Sequence, residues 1–256
     1  MASKSKVLVI GATGYIGRHI ALAGPAEGHP TFVLVRPSTL ASNPPVLHSF
    51  QAAGITLLQG SLEDYESLVA AVKQVDVVIS AISPNPLDQL KIIEAIKEVG
   101  TIKRFIPSEF GNDPGLKTPP RDKVSINGSG DVKFISVLEE DVGAYTMKTV
   151  DDPRTLNKIL HIRPSANIMS MNSLVEMWER MIGKTLEKVT VTEEDMVKQI
   201  QETPDFNSSL FQAVLHDVVI QGAQCNFDLG PNDVEATTLY LDHKYTSAQE
   251  YLARFL

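Results

Sequence analysis

The feature that most constrains the fold is a strict alternation in the first hundred residues. Short, nearly all-apolar, β-branched runs at 7–10, 32–35, 56–58, 75–80 and 104–106 alternate with segments 15–28, 44–54, 63–73 and 86–99, whose apolar residues recur at helical spacing. Five strands and four helices in this order predict an α/β fold, a Rossmann-like, doubly wound parallel sheet with helices on both faces. Strands buried on both sides need apolar residues at nearly every position, which these have. After Ile106 the alternation stops. Residues 107–120 hold four prolines and two glycines and cannot form the helix that should follow a fifth strand. Beyond them, 123–126 and 132–137 flank Asn127-Gly128 and predict a hairpin, followed by a helix over 139–148 and a strand over 159–162. Further helices are expected over 171–182, 193–202, 206–221 and 246–255. The chain divides on this reading into a nucleotide-binding-type domain, 1–114, and a smaller C-terminal α+β lobe, 115–256.

Composition narrows the partners. With 256 residues, 43% of them hydrophobic, the chain can bury a core without disulfides or structural metal. Cys225 is the only cysteine, as expected of a protein from a reducing compartment, and the first residues run directly into an apolar strand with no signal-peptide pattern. No apolar run reaches membrane-spanning length. A net charge of −8 without an arginine cluster argues against nucleic acid as the main partner. The expectation is a cytoplasmic protein acting on a small molecule.

Gly11-Ala-Thr13-Gly14-Tyr15-Ile16-Gly17 lies between the first strand and the first helix. There, one glycine permits a tight turn and the next lets backbone N–H groups approach a pyrophosphate at the helix N-terminus. The spacing is G-x-x-G-x-x-G, so the generic dinucleotide fingerprint is met loosely, and a merely structural tight turn is the competing reading. At the end of the second strand stands Arg36, where an acidic residue would bind the ribose of NAD. A fixed cation there suits the 2′-phosphate of NADPH, against the alternative of a solvated surface arginine.

These residues, together with Val75-Asp-Val-Val-Ile-Ser80, Ile92-Ile-Glu-Ala-Ile-Lys97, Lys103-Arg-Phe-Ile-Pro-Ser-Glu-Phe-Gly111, Pro119-Pro-Arg-Asp-Lys-Val124, Asp151-Asp-Pro-Arg-Thr-Leu-Asn-Lys158 and Asn226-Phe-Asp-Leu-Gly-Pro231, resemble the isoflavone reductase-like group of plant reductases. That group, NmrA-like atypical short-chain dehydrogenases, includes pinoresinol-lariciresinol, isoflavone and phenylcoumaran benzylic ether reductases. The resemblance implies NADPH on the N-terminal lobe, a phenylpropanoid-derived substrate between lobes, and hydride delivery to a benzylic carbon or conjugated double bond. A homodimer is the assembly it suggests. By position, Ser80, Ala81 and Ile82 at the end of the fourth strand, and Ser108, Glu109 and Phe110 after the fifth, should border the cofactor. His216 falls in a region that lines the family's substrate pocket; a histidine satisfied by a backbone partner is the competing reading.

The chain also departs from the group. In relatives, Pro-Ser-Glu-Phe-Gly is followed by a long helix with a lysine assigned to proton transfer, then by a sixth strand and a substrate-covering loop. Here Phe110-Gly-Asn-Asp-Pro114 runs directly into the segment expected after them, leaving about fifty residues absent, far beyond ordinary loop variation. No lysine carries over; Lys117 is the nearest in sequence but matches the segment after the gap. Residues 42–48 also lack the lysine that relatives often supply as a second cation for the 2′-phosphate. Tyr240 and Lys244 have the Y-x-x-x-K spacing of ordinary short-chain dehydrogenases, which on a helix would place both on one face, but they fall near the C-terminus. The six histidines show no metal-ligand spacing, and Glu139-Glu140-Asp141 reads as a favourable helix start. The expectation is therefore an NADPH-dependent reductase by descent, with catalysis in doubt. Its alternatives are an inactive NADPH-binding or misfolding splice-type variant, and a redox-sensing dinucleotide binder.

Overall fold

Five parallel strands, β1 (Val7–Ile10), β2 (Thr31–Val35), β3 (Thr56–Gln59), β4 (Val77–Ser80) and β5 (Arg104–Ile106), hydrogen bond in the order β3-β2-β1-β4-β5. They belong to a computed structural model that describes residues 3–82, 86–110 and 118–256. Central β1 and β4 are buried at every position, whereas the edge strands β3 and β5 are only partly buried. The period of two along β1 sends Val7 and Val9 into one core and Leu8 and Ile10 into another. The helices α1 (Gly17–Ala26), α2 (Pro37–Ser42), α3 (Pro45–Ala52), α4 (Tyr65–Val72) and α5 (Pro86–Val99) complete the alternation. Ile20 of α1 and Phe50 of α3 fill the first core; Leu68 and Val72 of α4 and Ile92 and Ala95 of α5 fill the second. Each such fully buried large aliphatic or aromatic side chain contributes about 1.5–3 kcal/mol, which is why the doubly apolar strands enforce two helical layers.

The chain folds as two compact units that are not consecutive in sequence: Met1–Phe110 with Glu139–Lys158, and Gly111–Leu138 with Ile159–Leu256. A single cut at 114/115 thus does not describe it, because the helix α6 (Glu139–Thr149) packs on α1 of the first unit. The approach is close. A Cβ on Gly143 would lie 2.5 Å from the His19 carbonyl oxygen, and Tyr145 and Met147 are fully buried. Arg104 of β5 holds the end of α6, donating to the Thr149 carbonyl, to the Thr155 hydroxyl at 2.8 Å and to the Asp152 carbonyl at 3.0 Å. The Ser5 hydroxyl and amide donate to the Asp151 carboxylate at 2.5 and 3.1 Å, tying the start of the chain to the same segment.

In the second unit, β6 (Lys123–Asn127), β7 (Lys133–Ile135), β8 (Ile159–His161), β9 (Ile168–Ser170), β10 (Glu187–Val191) and β11 (Asp233–Glu235) make three two-stranded pairs. The hairpin expected around Asn127-Gly128 does not form. Instead, β6 pairs in parallel with β10, and β7 pairs antiparallel with β9. The Gly128 N–H donates to Val191 O at 2.8 Å, extending the β6–β10 ladder through the residue expected to reverse the chain. Helices α7 (Met171–Ile182), α8 (Glu193–Glu202), α9 (Phe206–Val219), α10 (Ala236–Leu239) and α11 (Ala248–Ala253) surround these pairs. The starts of α7, α8, α9 and α11 are set by side-chain caps from Ser170, Thr192, Asp205 and Ser247, which satisfy first-turn N–H groups. Ile126, Val175, Trp178, Leu186 and Leu252 form the core, with the Trp178 indole N–H donating to Pro120 O at 2.6 Å.

Candidate functional site: the turn between β1 and α1

The glycine motif occupies the turn at the C-terminal end of β1, in the middle of the parallel sheet, where open α/β sheets take their ligands. Gly11 has φ +87°, in the left-handed region, and a Cβ there would lie 2.5 Å from the Ala81 carbonyl oxygen. Only glycine lets the turn lie so close to the end of β4, where the Ala81 N–H donates to Ile10 O at 2.7 Å. Gly17 serves a different constraint: its Cβ would be 2.2 Å from the Gly11 carbonyl oxygen, so α1 starts directly against the turn. The Gly14 N–H closes the turn on Gly11 O at 3.0 Å.

The start of α1, like those of α2 and α3 and unlike that of α4, carries no side-chain cap. Its N-cap position is Ile16, with no side-chain cap bond and no acidic residue in the first turn. Uncapped N–H groups and the positive end of the helix dipole are what a ligand anion requires. A pyrophosphate fits the residues present, since glycines at 11 and 17 let the turn pack against the Ala81 and Gly11 carbonyls at distances a Cβ would not permit. Thr13 is half-buried, Gly14 and Tyr15 are exposed, and Ile16 packs on the first core. The Tyr15 hydroxyl donates to the Glu139 carboxylate of α6, and the Arg18 guanidinium lies 5.4 Å from the Tyr15 ring centroid. Beside them, His19 Nδ1 is 3.7 Å from Glu140. Burial, opposed by Glu140 and reinforced by Arg18, holds the His19 imidazole below its ordinary pKa.

Arg36 is exposed at the end of β2, at the N-cap position of α2 with Pro37 following, and none of the described residues pairs with its guanidinium. At the ends of β4 and β5 the expected residues do meet. The Ser108 hydroxyl donates to Ile82 O at 2.7 Å, and its N–H donates to the Gln89 side chain at 3.2 Å. Ala81 and Phe110 pack on the first core and Ile82 on the second, while Glu109 is exposed. Ser80 is fully buried, and its hydroxyl has no hydrogen-bond partner among the described residues. The turn surface at this strand end is therefore offered by Ala81 and Ile82.

Other candidates separate from this turn. His216 lies in α9 of the second unit, its Nε2 3.1 Å from Glu193 and its Nδ1 3.7 Å from Asp217, so its partners are carboxylates and not the backbone. Tyr240 and Lys244 do not share a helical face: α10 ends at Leu239, Tyr240 is buried, and exposed Lys244 pairs with Glu250 at 3.0 Å. Glu139, Glu140 and Asp141 do occupy the first turn of α6. The expected junction near Pro114, and Lys117 with it, lie outside the described residues. Among the described residues, no group of three His, Cys, Asp or Glu side chains could hold a metal ion, and no helix is long and apolar enough to cross a membrane.

The sheet order and the glycine turn define a Rossmann-like α/β protein. The chain belongs to the NmrA-like family, whose model matches residues 3–115 and 113–252. It is 47% identical to a phenylcoumaran benzylic ether reductase of Ginkgo biloba, with 99% of each chain covered. Among solved structures it resembles AtPrR2 with NADP+ and (+)-pinoresinol (TM-score 0.91, 36% identity, all of both chains). It also resembles the leucoanthocyanidin reductase–NADPH complex of Vitis vinifera (TM-score 0.89, 35% identity, 98% of this chain and 99% of that one). The Ginkgo match runs over 306 residues whereas this chain has 256. The family model, in turn, matches in two pieces that meet at 113–115. Both agree with the internal shortening expected after Pro114.

Proposed function

We propose that the chain binds NADPH and reduces phenylpropanoid-derived substrates of the lignan, isoflavonoid or benzylic ether type. The observation that carries the cofactor reading is the β1–α1 turn, closed by Gly11 and Gly17 at distances no side chain would permit, in front of an uncapped helix. The substrate class rests on relatives that match over the full chain and include benzylic ether reductases and a pinoresinol-bound structure. In this reading Gly11, Thr13, Gly14, Tyr15, Ile16 and Gly17 hold the pyrophosphate, and Arg36, exposed at the end of β2, takes the 2′-phosphate. Ser80, Ala81, Ile82, Ser108, Glu109 and Phe110 border the rest of the cofactor, with Ser80 contributing through its backbone. His216 lines the substrate region. NADPH, when bound, supplies the hydride; the residues just named hold and orient it. The lone Cys225 supports a cytoplasmic setting, and a homodimer is the assembly proposed with it.

A second reading is favoured by one observation, the match of about fifty residues that this chain lacks. On that reading the chain binds NADPH without turnover, because the segment that carries the lysine in relatives is absent. Titration of NADPH and NADH, run beside NADPH oxidation with benzylic ether, lignan and isoflavonoid substrates, separates the two. The reductase reading expects tighter binding of NADPH than of NADH and turnover with at least one substrate. Tight binding without turnover on the whole panel selects the second reading, and absence of NADPH binding refutes both.

A further inference from the structure

We propose that Glu139 is a positioning residue for the cofactor turn, acting through Tyr15; this rests on the NADPH-binding reading above. The turn from Gly11 to Gly17 contains three glycines; its Gly11 and Gly17 ends are tightly packed, while Gly14 and Tyr15 between them are exposed. Ile16 anchors it on the core side. On the solvent side Tyr15 stands 42% exposed, and its anchor is the hydrogen bond from its hydroxyl to the Glu139 carboxylate, with Arg18 against its ring.

Glu139 can do this because α6 is fixed independently of the turn. Its first turn lies beside the start of α1 through the close approach of Gly143 to His19, and its far end is held by Arg104. The carboxylate is thus on a rigid element, and the residue it grips sits between Gly14 and Ile16, in the turn that the cofactor reading assigns to the pyrophosphate. Holding this stretch before the ligand arrives removes an ordering cost from binding. Glu139 touches neither cofactor nor substrate in this scheme. It also sets the direction of the Tyr15 ring on which the Arg18 cation rests, close to where the pyrophosphate would add negative charge.

The test is a double-mutant cycle on the whole chain, reading the NADPH Kd by fluorescence titration together with the melting temperature. Tyr15→Phe and Glu139→Ala should each raise Kd about three- to tenfold, and the double variant should lose no more than the worse single one. Glu139→Gln keeps an acceptor for the Tyr15 hydroxyl and should restore Kd to within about twofold. The loss should be equal for NADPH and NADH, because it acts on the pyrophosphate they share. Glu140→Ala, which removes a charge from the same helical turn without touching Tyr15, should leave Kd unchanged. Additive losses in the double variant would overturn the proposal, as would a Glu139→Gln variant as impaired as Glu139→Ala, or Kd values equal to that of the unaltered chain throughout. Failure of the unaltered chain to bind NADPH overturns the cofactor reading and this proposal with it. Normal binding by every variant overturns this proposal alone.

Discussion

Gly17→Ala tests the geometry of the cofactor turn with a single methyl group. The new Cβ would meet the Gly11 carbonyl oxygen at 2.2 Å, the Gly11 carbonyl carbon at 2.8 Å and Ala12 Cα at 3.0 Å. A comfortable carbon–oxygen contact is about 3.3 Å, so the turn must retreat by about 1 Å. It has little room to do so. The Gly11 carbonyl accepts the Gly14 N–H at 3.0 Å, and Gly11 is itself pressed against the Ala81 carbonyl. Overpacking of this kind costs about 1–3 kcal/mol, against a gain of up to about 1 kcal/mol from alanine over glycine in a helix. The net loss lowers the melting temperature by roughly 2–6 °C in a chain of this size. The effect on binding should be larger than the effect on stability, because the displaced Gly11 carbonyl accepts the Gly14 N–H that closes the turn assigned by the cofactor reading to the pyrophosphate. A displacement of about 1 Å predicts a rise in NADPH Kd of about tenfold or more, measured by fluorescence titration. Gly14→Ala, whose Cβ would meet Gly11 O at 3.1 Å, should cost much less. If Gly17→Ala bound NADPH within about twofold of the unaltered chain at the same melting temperature, the glycine would not be there for close approach, and the argument for the turn would fail.

Two further predictions concern stability. Arg104→Ala removes the guanidinium that satisfies the Thr149 and Asp152 carbonyls and the Thr155 hydroxyl, and should cost about 2–3 kcal/mol, a drop of roughly 5–10 °C by calorimetry. An unchanged melting temperature would show that α6 is held by its packing on α1 alone. At Glu250, hydrogen bonds from the Ser247 N–H, Lys244 and the Ser247 hydroxyl push the carboxyl from 4.5 down to about 2. Its folded pKa is below its unfolded one, so its contribution is complete above about 4.5 and is lost as pH falls toward about 2. Glu250→Gln should therefore melt below the unaltered chain at pH 7, with the gap closing through that acid window; a constant gap would refute the assignment.

Much of the first unit was legible because its determinants are local. Alternating or continuous apolar runs identify β1, β2, β3, β4 and β5, and helical spacing identifies α5, α7 and α8 to within their observed ends. The helix starts carry their own signal in Ser170, Thr192 and Asp205. The glycine turn was legible for the same reason: its close contacts lie within a few residues, except for the approach to Ala81. Segment 123–137 shows the limit. Two short apolar runs around Asn127-Gly128 carry the local marks of a hairpin, but β6 has its partner in β10, some sixty residues on, and β7 has its partner in β9. Nothing in a three- to five-residue strand specifies which distant edge it will meet. The small α2 was missed because Pro37-Ser38-Thr39 reads as a turn, although proline is well suited to the first position of a helix.

Sequence alone determined the doubly wound sheet, the glycine turn at its centre and the family, since each depends on residue types at fixed short spacings. Tertiary structure decided what those spacings cannot encode. It returned residues 139–158 to the first unit, because Gly143 lets α6 approach α1 and Arg104 has carbonyls to satisfy. It enclosed the Ser80 side chain, a residue that the family resemblance places beside the cofactor. It also brought the Glu139 carboxylate to Tyr15 across 124 residues, giving an acidic residue that sequence assigned only to its own helix a partner in the glycine turn. Close packing between distant elements creates such contacts, and they follow from the shape of the folded chain and not from any local pattern.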